Sequence, residues 1–342
     1  MARPLAAFFT AFLLGMLLLP PFIRLLLSLR VEQSFRTREE VRDLADLHGT
    51  KAHTPTMGGV CIWFATVSAT LLWGRPNSLS IAALYVFSVF GAIGLADDLC
   101  KFFRRSSRGL AGRKKLFWEG VVLLSLLAGI RFWDRELFGA VHEIWIPACS
   151  APLIGHLPTI LAFIFAFLII SGCANAVNLT DGADGLAAGC SLAVACSLAA
   201  VCMNIRHAPP VPGAEELAVL LLALAGALLA FFWHNCQPAR IFMGDGGSLA
   251  IGGLLGTAAF LLRRPFLLAV MGGVFVAEAL SVMAQVFYFQ RTGGRRIFRM
   301  APLHHHFELG GCPESRVVGR FLAASLLCCC AGLALHFCLV FG

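Results

Sequence analysis

Three aspartates stand out in a chain that is otherwise poor in charge. Asp97 and Asp98 are adjacent and are followed by Lys101, and Asp245 lies in the run Gly244-Asp245-Gly246-Gly247-Ser248. Neighbouring carboxylates at the inner end of an apolar helix repel each other unless a cation sits beside them. Mg2+ is the natural guest, being hard and oxygen-seeking. A solvated helix end is the plainer reading, weakened because Asp at a helix C-terminus opposes the macrodipole. Asp245 falls instead at a helix N-terminus, where free N–H groups and the positive dipole end suit phosphate and Mg2+ together. Simple N-capping by Asp245 is the alternative.

Four further polar runs accompany the aspartates. In Asn175 to Ala187, Asn175, Asn178, Asp181 and Asp184 recur every three residues. They read as a short loop between two apolar helices, with Gly182 and Gly185 letting the backbone turn. Such a loop can meet a nucleobase, a ribose or a metal; a purely structural turn rarely needs so many polar groups. His48 to Gly59 places Lys51, Thr54, Pro55 and Thr56 before a helix. That run is either a phosphate or base contact through Lys51, or an ordinary capped helix start. Glu278, Ser281 and Gln285 share one helix face, where a carboxylate turns inward to a site or bonds a neighbouring helix. Arg295 to Leu309 contains His304, His305 and His306 in a long basic loop. Consecutive histidines suggest zinc, yet no second cluster with zinc spacing accompanies them, and imidazoles beside a diphosphate fit better.

The elements that must position these residues are membrane helices. Hydrophobic residues make up 58% of the chain and charged residues 13%, against roughly 25% charged in soluble domains. Mean hydropathy is +0.81. Apolar segments run near Leu5–Leu29, Met57–Trp73, Leu79–Leu95, Leu116–Trp133, Pro158–Ala174, Leu186–Met203, Leu217–Trp233, Ser248–Leu262, Phe266–Gln290 and Val317–Val340. The fold expected is all-α and polytopic, with about ten transmembrane helices in one domain spanning 1–342. The first segment is too long for a signal peptide and stays as a helix.

Orientation follows from the loops. Roughly 18 Lys and Arg residues fall on the side of the polar runs and 7 on the other, which makes the polar side cytoplasmic and puts both termini outside. The net charge of +8 is then mainly topology, with phosphate binding superimposed, and nucleic acid is not an expected partner. The outer stretch Glu143–Pro158 is expected to form a short β-hairpin. The 13 cysteines sit mostly in apolar runs, without CxxC spacing, and read as small packing residues.

Taken together, Thr54-Pro-Thr-Met-Gly-Gly59, Asp97-Asp98, Asn175 to Gly185, Pro238 to Asp245 and Ala301 to Glu308 resemble the polyprenyl-phosphate N-acetylhexosamine-1-phosphate transferase superfamily, glycosyltransferase family 4. Within it the chain is similar to the family of phospho-N-acetylmuramoyl-pentapeptide transferases, from about Gln33 to Phe321. The resemblance implies transfer of phospho-N-acetylmuramoyl-pentapeptide from its UDP donor to undecaprenyl phosphate, giving lipid I and UMP, the first membrane step of peptidoglycan synthesis. It implies Mg2+, a bacterial inner-membrane location, a cytoplasmic active site and a homodimer. It assigns Asp245, with Asp97 and Asp98, to the metal, and Asp97 to a proposed base role; a covalent route through an aspartate is the other mechanism argued for the family. Lys51, Asn178, Asp181, Gly182 and Phe242 match positions around the uridine. Thr56, Asn235, Gln285, His304 and His305 match other positions lining the nucleotide pocket, and Lys101 and Lys115 match lysines near the phosphates. Asn175, Asp184 and His306 belong to the same motifs. The sequence departs from the family at His53, where glycine is usual, and at Thr37–Leu47, which is longer and more charged.

Two rivals remain. A sister transferase would use UDP-N-acetylglucosamine, and the triple histidine argues against it by resemblance. A transporter would place its polar groups near the bilayer midplane, whereas these gather on one face.

Overall fold

The computed structural model describes residues 2–29, 31, 54–104, 109–146, 151–204 and 211–341. Lys51, and with it His53 and Thr37–Leu47, lies outside the described residues. Thirteen helices run through the rest: α1 (Ala2–Ser28), α2 (Gly59–Trp73), α3 (Ser78–Arg104), α4 (Gly112–Trp133), α5 (Arg135–Ala140), α6 (Thr159–Thr180), α7 (Leu186–Asn204), α8 (Ala214–Asn235), α9 (Gly244–Leu261), α10 (Pro265–Met271), α11 (Gly273–Arg291), α12 (Leu303–Glu308) and α13 (Glu314–Phe341). Every one of the ten expected apolar segments is helical, and among the described residues eight helices are long and apolar enough to cross a membrane. The architecture is all-α and polytopic.

Several element ends differ from expectation, and the differences matter for the site. Helix α3 continues to Arg104, so Asp97, Asp98 and Lys101 lie within it rather than at its end. Helix α6 continues to Thr180, so Asn175 and Asn178 stand on a helical face and not in a loop. Polar residues end an apolar count but do not end a helix when tertiary partners receive them. The expected ninth helix is broken at Gly272 into α10 and α11. His304 to His306 form the short helix α12 inside the expected loop. Helix α2 has only 15 residues, about 22 Å of rise, short of the ~30 Å hydrocarbon core. The expected hairpin is reduced, among the described residues, to a single antiparallel bridge between Ile144 and Ile154. The small helix α5 was not anticipated.

Helices α8 and α9 form the centre. Almost every residue of both is buried, as befits helices apolar on all sides. Helix α9 packs chiefly on α3 and α6, and α8 on α1 and α7. Gly94 lets α3 approach α9 at the level of the aspartates, because a Cβ there would run into the backbone of Asp245. The outer helices turn large apolar side chains outward, among them Leu17, Phe132, Leu168, Met283 and Leu327. That surface suits lipid better than water.

Candidate active site

The three aspartates converge. Asp97 and Asp98 come from α3 and Asp245 from the first turn of α9, with one carboxylate oxygen of each lying within 4.8 Å of the others. Asp97 is fully buried, and Asp98 nearly so. Asp98 accepts hydrogen bonds from the backbone N–H groups of Asp245 (3.2 Å) and Gly246 (3.0 Å). It thereby caps α9 from a neighbouring helix, a favourable place for a carboxylate. Asp97 accepts from the N–H of Leu110 at 2.5 Å.

Two lysines close on the same oxygens. Lys101 Nζ lies 2.6 Å from Asp97 Oδ2, 3.2 Å from Asp245 Oδ2 and 3.7 Å from Asp98 Oδ1. Lys115 Nζ, from α4, lies 2.5 Å from Asp245 Oδ2 and 3.2 Å from Asp97 Oδ2. Asn178 Nδ2 donates to Asp245 Oδ1 at 3.1 Å and to Ser248 Oγ at 2.8 Å. Carboxylate oxygens from two helices, already drawing cationic groups together, form a donor set that fits a hard divalent cation.

The loop after α6 forms one wall. Asp181 terminates the helix, and burial together with the charges of Asp245, Asp98 and Asp184 pushes its pKa up to about 8. Asp184 acts locally: its Oδ2 accepts from the N–H of Ala239 at 3.0 Å. Asn235 also holds backbone, accepting from the N–H of Gly185 (3.0 Å) and donating to the carbonyl of Ile241 (2.8 Å). These two fasten the α6–α7 loop to the segment before α9. That segment pairs in turn with the stretch before α2: Phe242 N–H donates to Pro55 O, and Gly58 and Gly59 N–H donate to Phe242 O and Met243 O, at 2.8–2.9 Å. Thr56 and Phe242 are thereby brought beside α9. No side chain caps α2, so the Thr cap considered from sequence is absent.

The remaining candidates lie farther out. Asn175 does not reach the aspartates; its Nδ2 donates to Glu119 Oε2 (3.1 Å) and to Ser171 O (2.8 Å). Gln285 Oε1 accepts from the N–H groups of Ile297 (3.1 Å) and Phe298 (2.9 Å) and so anchors the histidine segment. His305 Nδ1 pairs with Glu308 at 2.9 Å, and His306 Nδ1 accepts from the N–H of Arg299 at 3.1 Å. His304 pairs with Glu278, whose expected helix–helix role becomes a bond to α12.

Glu119 and Glu314 were missed from sequence. Glu119 is fully buried and stands one turn beyond Lys115 on α4; an acidic residue inside an apolar helix was the available signal. Glu314 accepts from the N–H of Asp184 (2.8 Å) and from Gln237 Nε2 (3.1 Å). Nothing local to Glu314 announces that role.

Residues 80–263 match the family model for glycosyl transferase family 4. The chain is 38% identical to the phospho-N-acetylmuramoyl-pentapeptide-transferase of Opitutus terrae, over 97% of this chain and 92% of that protein. It is 42% identical to the phospho-N-acetylmuramoyl-pentapeptide-transferase of Solidesulfovibrio magneticus, with the same coverage of both. The matched span carries all three aspartates, both lysines and the Asn175–Asp184 segment, and the chain belongs to glycosyl transferase family 4, alongside these two transferases.

Proposed function

We propose that the protein transfers phospho-N-acetylmuramoyl-pentapeptide from UDP-N-acetylmuramoyl-pentapeptide to undecaprenyl phosphate, giving lipid I and UMP. The observation that carries this is the convergence of Asp97, Asp98, Asp245, Lys101 and Lys115 in a chain related over nearly its whole length to enzymes of that name. Phosphoryl transfer is mostly positioning and charge neutralisation, and this cluster supplies both.

Asp245, Asp97 and Asp98 would hold Mg2+. When bound, the ion would neutralise charge developing on the donor's phosphates. Lys101 and Lys115 would hold phosphate oxygens near the carboxylates. Asn178 donates to Asp245 from a neighbouring helix and so orients that carboxylate. Thr56, Asp181, Gly182 and Phe242 would surround the uridine, and Asp184 and Asn235 keep their segments in register. Asp97 would take the proton of the lipid phosphate. A phosphate monoester loses its second proton near pH 6, so this duty matters most below neutrality.

The chain would act as one domain, as a homodimer in the bacterial inner membrane, with the aspartate end facing the cytoplasm and both termini outside. The Lys and Arg asymmetry supports that orientation, and a membrane-embedded lipid acceptor suits a site at the bilayer boundary. The direct test is UMP release by purified protein given both substrates and Mg2+. A transporter would release none.

A further inference from the structure

Helix α11 crosses the apolar bundle, yet it carries Glu278 with no exposed surface. A buried carboxylate in such a helix is costly unless donors meet it. Both donors come from one residue. Glu278 Oε1 lies 3.3 Å from the backbone nitrogen of His304 and 3.2 Å from its Nδ1. His304 is itself fully buried, at the start of α12. A carboxylate accepting at Nδ1 fixes the proton there and leaves Nε2 of a neutral ring as an acceptor.

That Nε2 is buried and has no hydrogen-bond partner among the described residues. It lies against Gly182, where a Cβ would collide with Nε2 and Cε1 of His304. Gly182 is therefore bare where the imidazole needs room. A buried ring nitrogen without a partner is costly, so the arrangement calls for a donor from that side. Gln285, two turns along α11, anchors Ile297 and Phe298. The polar face of α11 thus sets the histidine segment at both ends, although Gln285 touches only backbone.

We propose that Glu278 is the positioning residue of His304: it fixes the ring and its Nδ1–H tautomer, so that Nε2 meets an N–H or O–H of the nucleotide-sugar seated on Asp181–Gly185. The proposal rests on the assignment of that loop to the donor. Glu278 acts only through His304 and touches no substrate.

The test is a double-mutant cycle on the full chain with Glu278→Gln and His304→Ala. Glu278→Gln preserves shape and an acceptor oxygen but removes the negative charge that holds the Nδ1 proton, so the tautomer is no longer fixed. It should weaken UMP binding and lower kcat/KM on the order of 10-fold, with thermal stability near that of the parent protein. In the His304→Ala background the same substitution should cost nothing further. Equal loss in both backgrounds would overturn the proposal and leave Glu278 a packing carboxylate. Normal transfer by His304→Ala would also overturn the proposal, whereas failure of the parent protein to bind UMP would remove the assignment of that loop on which it rests. Glu278→Asp, which retains the charge but shortens the reach, should recover part of the rate if the carboxylate matters; no recovery relative to Gln together with additivity would count against it. If Glu278→Gln proves unstable, the Asp variant carries the cycle with the same two outcomes.

Discussion

Lys115 Nζ and Asp245 Oδ2 are joined across α4 and α9 by a 2.5 Å ion pair. With Lys101 3.2 Å from the same oxygen, two ammonium groups and a divalent cation compete for one carboxylate. Lys115→Met should therefore tighten Mn2+ binding to the donor-free protein, on the order of 10-fold, measured by electron paramagnetic resonance. It should at the same time weaken binding of the UDP donor. Weakened Mn2+ binding would show that Lys115 supports the cation site rather than competing with it.

Asp97→Asn, Asp98→Asn and Asp245→Asn should each cut turnover by about a hundredfold or more, with the fold kept. Their pH and Mg2+ dependence should separate them. The deficit of Asp97→Asn should narrow as pH rises through 6–8 if it serves as a base, because the lipid phosphate then loses its proton unaided. The deficit of Asp245→Asn should persist with pH and ease only at raised Mg2+. Normal activity and normal Mg2+ affinity in Asp245→Asn would remove the metal assignment.

Asp181 links pH to stability. Its pKa rises from 3.8 in the free residue to about 8 in the fold, so the folded state keeps a proton that the unfolded chain releases near pH 4. Its contribution is present at low pH and is lost progressively as pH rises from about 4 to about 8, with no further loss above. Asp181→Asn should raise the thermal midpoint of divalent-free protein by an amount that grows between about pH 5 and pH 8 and then levels off. A difference independent of pH would contradict the shift.

Orientation can be read by cysteine labelling in a background stripped of native cysteines. Arg296→Cys, exposed near the aspartate end, should resist an impermeant reagent added to intact cells, and Arg135→Cys, exposed at the other end, should react. The reverse pattern would invert the topology.

Much of this site was legible in the sequence because polar residues are conspicuous in an apolar chain. Asp97, Asp98 and Asp245 could be picked out by type alone, and their convergence follows from helix ends on one side of the bundle. Helix limits were less legible: Asp97 looks like a helix-end residue and Asn178 like a loop residue because periodicity stops at polar groups, yet partners on other helices keep them well inside their helices. Pairings such as Asn175 with Glu119 and Asp184 with Glu314 join residues far apart in sequence, and no local pattern records them. The stapling role of Asn235 and Asp184 was invisible for the same reason. His305 with Glu308 and Lys101 with Asp97, three and four residues apart on one helix, were pairings that spacing could have given.

Competition between two donors tests the central claim most directly. Purified protein in detergent, with undecaprenyl phosphate and Mg2+, would be offered UDP-N-acetylmuramoyl-pentapeptide and UDP-N-acetylglucosamine together, and the lipid product identified by mass spectrometry. We expect lipid I to dominate, and His304→Ala and His305→Ala to reduce its formation, because the extra carboxylates on the lactyl-peptide arm of the muramoyl donor can meet the basic histidine segment. Equal or better transfer from UDP-N-acetylglucosamine would contradict the muramoyl assignment and leave only the family.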